Sequence, residues 1–466
     1  MKNDLDMKSD TENEEDGTMS TESADVRPAE STDARPAGAQ QPTHHHPQPS
    51  QRTQPSHHHG HAFAGILGPA FVAAVAYVDP GNVAANITSG ARYGYLLVWV
   101  LVLANCMSVL IQYQSAKLGI VTGKSLPEIL GERLGDAGRF MFFMQAEVIA
   151  IATDLAEVIG GAIALKLLFG LLLFGLPLFV GGCIIGAVST VLLIFEKGAT
   201  HRIFEKLIIG LLLVITFGFI AGLFIAPPNP KEVVAGLIPR FKGTDTVLMA
   251  TSMLGATVMP HAIYLHSTLV NDHYAPGEAK PSIKKLLHGS KIDVAWALIL
   301  AGSVNLALLI LAANSLYGMT GTDTIEGAQR AIQHVLGPVI GTIFSIGLLA
   351  SSLSSTSVGT YAGSEIMHGL LRIKAPMWAC RVVTLVPALV VLWFANNPTE
   401  ALIVGQVVLS VGIPFAIIPL MRYTHDRTLM GEYVDGPVKH IVNIAVAALI
   451  VALNVVLIVL TMLGKA

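Results

Sequence analysis

The sequence predicts an all-α membrane protein of about eleven transmembrane helices, the first and sixth of which are broken near their middle. Its composition supports this class, because 52% of the 466 residues are hydrophobic and only 13% are charged, whereas soluble domains carry about 25% charged residues. The mean hydropathy is +0.60. The two interruptions are marked by proline next to a polar or sulfur-containing side chain, at Asp79-Pro80 and at Met259-Pro260.

Residues 1–60 differ from the rest of the chain and predict a disordered, acidic tail. They hold 11 acidic and 5 basic residues and almost no large apolar side chains, so they cannot bury enough surface to fold. Histidines are concentrated in and just after the tail, at His44, His45, His46, His57, His58, His59 and His61. Such a tract can collect divalent metal ions, although a solubilising extension is the simpler interpretation. The tail does not resemble a cleavable signal peptide, and we expect none.

About eleven apolar stretches after the tail have the length of a membrane span. They lie near residues 63–91, 96–120, 140–165, 171–194, 205–226, 247–270, 293–315, 330–356, 377–395, 399–421 and 441–463. The loops on one side hold 15 Lys and Arg residues and the loops on the other side hold 6. The richer side is expected in the cytoplasm. This places the N-terminus in the cytoplasm and, with an odd number of spans, the C-terminus outside the cell.

Helix-breaking residues interrupt two of the stretches, Pro80 and Gly81 in the first and Pro260 in the sixth. Proline lacks a backbone N–H and clashes with the carbonyl one turn earlier, so the helix stops and carbonyl oxygens lose their partners. In a membrane such backbone is tolerated where it lines a cavity. Because one break lies early in each half, we expect a transporter with a five-plus-five inverted repeat. The predicted repeats span about 63–226 and 247–421, followed by one extra helix.

The residues around the two breaks combine hard and soft metal ligands. Asp79 supplies a carboxylate, Asn82 an amide oxygen and Ala76 a backbone carbonyl. In the second break, Met259 supplies a thioether beside the carbonyl of Ala256. Oxygen ligands alone favour Mg²⁺ or Ca²⁺, and a thioether shifts the preference towards Mn²⁺, Fe²⁺, Co²⁺ or Cd²⁺. A carboxylate within a span is costly and usually functional, which makes Asp79 the firmest candidate.

Met259 and Gln406 each also have a plain structural interpretation. A methionine in a span is often only a packing residue, but we favour the ligand role for Met259 because it directly precedes the helix-breaking Pro260. Gln406, in the tenth span, is a candidate to add an amide oxygen to the site. Its alternative role is a hydrogen bond to a neighbouring helix.

Three acidic residues share one face of the predicted third helix. They are Glu147, Asp154 and Glu157, which fall within about 80° of one another at 100° per residue. Such residues must face the interior of the bundle. Their candidate partners on other spans are His261, His266 and Arg381. Acidic and histidine side chains in series predict a proton path, and a structural ion-pair cluster is the alternative.

Several segments of the membrane part together resemble the signatures of one family. These segments are Asp79-Pro80-Gly81-Asn82, Gln145-Ala146-Glu147, Thr153-Asp154-Leu155-Ala156-Glu157, Met259-Pro260-His261, Tyr264-Leu265-His266-Ser267 and Gln406. They resemble the Nramp family of proton-coupled divalent metal transporters, of bacterial type, over essentially everything after residue 60. The resemblance implies a LeuT-like fold. It also implies import of manganese or ferrous iron across the cell membrane, driven by protons.

The resemblance further implies roles for individual residues. Metal would be bound by Asp79, Asn82, Met259 and the carbonyls of Ala76 and Ala256, with Gln406 joining as the site closes. The proton route would comprise Glu147, Asp154, Glu157, His261, His266 and Arg381. The metal ion and the proton are then substrates, and we expect no cofactor, enzymatic activity, nucleic acid or obligate protein partner.

Two other functions account for part of this pattern. A sodium-coupled amino-acid symporter has the same fold, but its broken helices would bind a carboxylate, and Asp79 and Met259 argue against that. An intramembrane metalloenzyme using zinc belongs to a different class. The sequence contains no His-Glu-x-x-His motif, and a thioether is a poor ligand for hydrolytic zinc.

Overall fold

A computed structural model describes residues 68–463 of the chain, apart from residues 171–176, 196–200, 274–280, 323, 374 and 395–397. Every regular element within these residues is helical. The predicted tail and its histidines lie outside the described residues, so the interpretation of residues 1–60 stays a prediction.

The helices occur in two groups along the chain. Those of the first half are α1 (Pro69–Ala74), α2 (Pro80–Tyr93), α3 (Val98–Thr122), α4 (Leu126–Arg133), α5 (Asp136–Phe169), α6 (Leu178–Leu192), α7 (His201–Ile225) and α8 (Pro230–Ala235). Those of the second half are α9 (Thr244–Thr257), α10 (Pro260–Asp272), α11 (Ile283–Ser315), α12 (Ile325–Leu336), α13 (Pro338–Leu371), α14 (Met377–Phe394), α15 (Pro398–Thr424), α16 (Arg427–Met430) and α17 (Pro437–Met462). A 3-10 turn, Val75–Val78, extends α1 up to the first break.

Nine helices in the described part of the chain are long and apolar enough to cross a membrane. One of them runs through α2 and α3 as a single segment of 43 residues, Pro80–Thr122. The end of α15 qualifies together with the short helix after it, at a bend of 64°, which gives up to 10. Each predicted stretch overlaps one of these helices or one broken pair, so the predicted all-α membrane fold is confirmed.

The eighth span begins later than the apolar pattern predicts. The pattern starts it near residue 330, but α12 ends at Leu336 and α13 begins at Pro338. Gly337 between them has a φ of 94°, a conformation that residues with a Cβ rarely adopt. Pro338 has no N–H with which to continue α12. The span therefore runs from Pro338 to Leu371.

Both breaks lie where the prolines predict them. Asp79 is extended, with a ψ of 165°, and α2 starts at Pro80. Met259 is likewise extended, with a ψ of 120°, and α10 starts at Pro260. Each proline occupies the first position of its helix, where its missing N–H is not needed. Gly81 follows as the second residue of α2.

The two broken spans pack against each other. The helix α2 packs against α9, and α10 packs against α1. The long helices α5 and α13 pack against each other, and the 3-10 turn of the first break contacts α13 and α11. Helices α11 and α13 therefore lie beside the first break.

Glycines on α5 allow the first break to approach that helix closely. A Cβ at Gly160 would overlap the ring of Pro80, and a Cβ at Gly161 would overlap the hydroxyl of Ser352 on α13. Small residues are favoured wherever helices pack this closely in a membrane. Gly160 lies one turn after Glu157, so the start of α2 lies next to the acidic face of α5.

A buried ion pair joins the segment before α17 to α3. Lys117 Nζ lies 2.7 Å from Asp435 Oδ1, and both side chains are only 6% exposed. Asp435 Oδ2 also accepts hydrogen bonds from Gln114 Nε2 at 2.7 Å and from Asn443 Nδ2 at 3.1 Å. These bonds attach the N-terminal end of the last helix to the bundle.

We expect Asp435→Ala to lower the free energy of unfolding by about 3 kcal/mol, because it leaves the Lys117 ammonium buried without a counter-charge. Denaturant unfolding of the purified chain in detergent measures the change. Lys124→Ala is the matched control, since its pair with Glu132 is about half exposed (48% and 51%) and should contribute less than about 1 kcal/mol. Equal losses in the two variants would contradict the anchoring role of the buried pair.

Candidate functional site

Asp79 lies in the first break and is the N-terminal cap of α2. Its Oδ1 accepts hydrogen bonds from the backbone N–H of Asn82 at 2.9 Å and from Asn82 Nδ2 at 2.6 Å. Asp79 is 1% exposed, and its Oδ2 has no hydrogen-bond partner among the described residues. Burying a carboxylate oxygen without a partner is costly. Such a group suits a site that receives a cation.

Asn82 links the two breaks directly. Besides its bond to the cap carboxylate, its Nδ2 donates to the backbone carbonyl of Ala256, 3.0 Å away at the end of α9. This carbonyl lacks its usual helical donor, because the residue four positions later is Pro260. The same spacing occurs in the first break, where Ala76 precedes Pro80 by four positions. Because neither proline can donate a hydrogen bond, the carbonyls of Ala76 and Ala256 lack an i+4 backbone donor.

Met259 lies in the second break as the cap residue of α10 and is fully buried. It belongs to the same apolar cluster as Ala76. Gln406 lies in α15, but its side chain is outside the described residues, so its place at the site stays a prediction. Among the described residues, no group of three or more His, Cys, Asp or Glu side chains is arranged to hold a metal. The described candidate ligands at the two breaks are one carboxylate, one amide and one thioether, together with the neighbouring backbone carbonyls.

Asp154 on α5 forms a buried ion pair with Arg381 on α14. Arg381 Nη1 lies 2.5 Å from Asp154 Oδ1, and the two side chains are 1% and 5% exposed. Thr356 on α13 donates a hydrogen bond to the same carboxylate oxygen. The structure therefore brings together two residues that the sequence places on different spans.

Glu157 lies one turn further along α5, and its Oε1 accepts a hydrogen bond from the hydroxyl of Ser355 on α13. A cavity beside it is lined by Asp154, Glu157 and His261 of α10. Neither ring nitrogen of His261 has a hydrogen-bond partner in the part of the chain that the structure describes. Glu147 lies two turns before Asp154, is half-buried and does not line this cavity. Two of the three acids thus meet one histidine at one cavity.

His266 lies apart from this cavity and is connected to the first break. Its Nδ1 lies 2.8 Å from Gln112 Oε1 on α3, and Gln112 Nε2 donates to the hydroxyl of Tyr77 at 2.8 Å. Tyr77 belongs to the 3-10 turn that precedes Asp79. The sequence groups His266 with the acids of α5, but in the structure its partner is an amide near the candidate metal ligands.

Two buried polar residues that the sequence analysis does not single out bind the backbone of the first break. Asn305 Nδ2 on α11 donates to the carbonyl of Tyr77 at 2.6 Å. Ser351 Oγ on α13 donates to the carbonyl of Val78 at 2.5 Å. Asparagine and serine occur in spans for many structural reasons. Their residue types alone therefore contain no signal for this role.

A second group of buried charged residues lies at the N-terminal end of α1. Asp293 on α11 accepts hydrogen bonds from the backbone N–H groups of Gly68 at 3.1 Å and Ala70 at 2.9 Å. Close to Gly68, Glu205 Oε1 on α7 lies 2.8 Å from His273 Nδ1. Glu205 and Asp293 each stand at the first residue of a predicted span, where a charge is ordinary. The sequence pattern therefore does not mark them.

Comparison with known proteins gives consistent matches over most of the chain. A family model described as Natural resistance-associated macrophage protein-like, Nramp, matches residues 70–460. The divalent metal cation transporter MntH of Mycobacterium tuberculosis is 50% identical over 399 residues, which cover 86% of this chain and 92% of that protein. The protein of the same name from Bacillus subtilis is 42% identical over 396 residues, which cover 84% of this chain and 91% of the relative.

Solved structures share the fold, and the relatives are named transporters rather than enzymes. The manganese transporter of Eremococcus coleocola has a TM-score of 0.77 and 28% identity, covering 87% of this chain and 88% of that chain. Mhp1, a nucleobase-cation-symport-1 family transporter, has a TM-score of 0.57 and 14% identity, covering 86% and 92%, and supports the predicted LeuT-like fold alone. The family match over residues 70–460 and the identity to curated relatives show that this chain belongs to the Nramp family.

Proposed function

We propose that this protein imports divalent transition-metal ions, Mn²⁺ or Fe²⁺ and also Cd²⁺ or Co²⁺, across the cell membrane together with protons. The observation that carries the proposal is the link between the two broken spans, where Asn82 bonds both Asp79 and the carbonyl of Ala256. Access to this point would alternate between the two sides of the membrane. The names of the relatives, a divalent metal cation transporter and a manganese transporter, support a metal ion as the substrate.

The Asn82 amide indicates how a metal ion would be held. Its Nδ2 lies 2.6 Å from Asp79 Oδ1 and 3.0 Å from the Ala256 carbonyl, so a partly positive NH₂ group draws together one oxygen from each break. A divalent cation would attract the same oxygens more strongly, and Asn82 would then turn its amide oxygen towards the ion. The remaining proposed ligands are the carbonyl of Ala76, the thioether of Met259 and the amide of Gln406.

An amino-acid symporter of the same fold fits these residues less well. The substrate carboxylate of such a symporter lies at the broken helices. Here it would lie beside the buried Asp79 carboxylate, and like charges in a low-dielectric site repel each other. Asp79 and the thioether of Met259 both favour a cation instead.

We assign proton transfer to the cavity on α5. Asp154 is neutralised by Arg381, whereas Glu157 Oε2 and both ring nitrogens of His261 have no hydrogen-bond partner among the described residues. Groups of this kind are suited to taking up and releasing a proton in a membrane. Glu147 and His266 do not line this cavity, and we propose them as further members of the route outside it.

We also propose an orientation and a division of the chain that match this function. The tail at residues 1–60 and the N-terminus lie in the cytoplasm, because the loops on that side hold 15 Lys and Arg residues against 6 on the other. The repeats span about 63–226 and 247–421, each beginning with one broken helix. The extra helix near 441–463 then leads to a C-terminus outside the cell.

The transport activity is tested by the uptake of labelled Mn²⁺ into proteoliposomes that contain the purified chain. We expect uptake that increases when the outside is made more acidic than the lumen, together with acidification of the lumen reported by a pH-sensitive dye. Mn²⁺ uptake that does not change with the pH gradient would contradict the proposed coupling to protons. Absence of Mn²⁺ uptake by correctly folded protein would contradict the proposal as a whole.

We expect Met259→Ala to let Ca²⁺ compete with Mn²⁺, because the remaining ligands are oxygens that suit hard ions. The Ca²⁺ concentration that halves Mn²⁺ uptake should fall about tenfold, equivalent to about 1.4 kcal/mol. Met253→Ala is the matched control, since this methionine is also buried but lies within α9 rather than at the break. If both variants exclude Ca²⁺ as well as the unaltered protein does, Met259 is a packing residue.

We expect Asp79→Asn and Asp154→Asn to separate metal binding from proton transfer. Asp79→Asn should abolish Mn²⁺ binding measured by calorimetry, because it removes the one carboxylate of the proposed metal site. Asp154→Asn should flatten the dependence of uptake on external pH, because it leaves the Arg381 charge uncompensated beside the cavity lined by Glu157 and His261. It should change the Mn²⁺ dissociation constant less than about threefold, a difference below about 0.7 kcal/mol.

Asp136→Asn is the control for these two variants, because it removes an exposed carboxylate from the same helix as Asp154. It should leave both quantities unchanged. Loss of Mn²⁺ binding in Asp154→Asn as complete as in Asp79→Asn, with proton flux preserved, would place the acids of α5 in the metal site instead.

A further inference from the structure

The last three carbonyls before the first break have no α-helical donor. A helix that stops leaves its last carbonyls unpaired, and here these belong to Ala76, Tyr77 and Val78. Pro80 has no N–H to offer to Ala76. The N–H of Asn82, which a continuous helix would direct to Val78, donates instead to Asp79 Oδ1. The carbonyls of Tyr77 and Val78 therefore depend on groups outside their own helix.

Two of the three carbonyls are bound by side chains from neighbouring helices. Asn305 Nδ2 bonds the carbonyl of Tyr77 at 2.6 Å, and Ser351 Oγ bonds the carbonyl of Val78 at 2.5 Å. Asn86 Nδ2 donates to Asn305 Oδ1 at 2.9 Å, which fixes the orientation of the Asn305 amide with its NH₂ group towards the break. Both donors are almost completely buried, Asn305 at 2% and Ser351 at 0% exposure.

We propose that Asn305 and Ser351 are positioning residues that determine metal selectivity by keeping the carbonyls of Tyr77 and Val78 away from the transported ion. The inference rests on the proposed function, in which the Ala76 carbonyl is a metal ligand. With the other two carbonyls occupied, the first break offers the ion one backbone oxygen instead of three.

The number of available oxygen ligands affects metal selectivity, because hard and soft ions prefer different numbers and types of ligand. Ca²⁺ takes six to eight oxygen ligands in a flexible arrangement, whereas a site with few oxygens and a thioether favours softer ions. Each carbonyl released at the break would add an uncharged hard ligand beside Asp79. Removing a carbonyl donor should therefore strengthen Ca²⁺ binding relative to Mn²⁺ binding.

A purely structural role for the two residues predicts a different result. An unpaired buried carbonyl destabilises the break, and a distorted break would bind every ion less well. Absolute affinity therefore does not separate the two roles. The ratio of Ca²⁺ to Mn²⁺ affinity distinguishes the structural role from the positioning role, because only loss of a positioning residue changes this ratio.

The test measures competition of Ca²⁺ against Mn²⁺ binding by calorimetry on the full purified chain in detergent. For Ser351→Ala we expect the ratio of Ca²⁺ to Mn²⁺ affinity to rise about fivefold, the size expected when one hydrogen bond to a carbonyl is removed. Ser351→Thr should restore the ratio, since it restores the hydroxyl. Ser354→Ala is the matched control, because this equally buried hydroxyl of α13 bonds the carbonyl of Ala350 in its own helix at 2.7 Å.

Asn305→Leu is the second variant and decides the question if Ser351→Ala is not recovered as folded protein. A raised ratio in Asn305→Leu, with the Ser354→Ala ratio unchanged, supports the proposal. A ratio equal to that of the unaltered protein, whether or not both affinities fall together, overturns it. If Asp79→Asn binds Mn²⁺ as well as the unaltered protein does, the metal site itself is elsewhere, which identifies a failure of the proposed function rather than of the selectivity argument.

Discussion

A backbone carbonyl inside a membrane has no water to bond, and two prolines of this chain each remove one N–H from a helix that crosses it. Pro80 and Pro260 therefore create polar groups that only other helices, or a cation, can satisfy. Asn82 reaches from the first break to the second, while α11 and α13 supply donors to the first break. These bonds require the same helices to be neighbours, so the bundle is organised around its two interruptions.

Asp79 and Asp154, both buried, differ because only Asp154 has a permanent counter-charge. Asp154 is paired with Arg381 at 2.5 Å, whereas the bonds described for Asp79 come from the amides of Asn82. Removing a carboxylate from water is unfavourable unless a cation compensates for it. Asp79 is therefore suited to a cation that arrives and leaves. Glu157, bonded by a serine hydroxyl, is the residue proposed to carry a proton, and its helix α5 contacts α2.

The parts of the fold and site that depend on local chemistry could be predicted from the sequence. Proline and aspartate within an apolar stretch indicate a break, and the acidic face of α5 follows from helix geometry. The bonds of His266 to Gln112 and of Ser351 to Val78 could not be predicted, because they depend on which helices become neighbours. The start of α13 could not be predicted either, because hydropathy contains no information about the positive φ of Gly337. The structure therefore provides two kinds of information that the sequence pattern does not contain, the long-range hydrogen-bond partners and the local backbone conformation.

The first half-helix, α1 with its 3-10 turn, is attached to α11 at both of its ends. Asp293 bonds the backbone of Gly68 and Ala70 at its start, and Asn305 bonds the carbonyl of Tyr77 at its end. These two side chains are about 18 Å apart along α11, at 1.5 Å per residue, which is close to the length of the half-helix itself. A helix this short is not stable alone, so its bonds to α11 stabilise it. Because both of its ends are bonded to one helix, the position of the first break depends directly on that of α11.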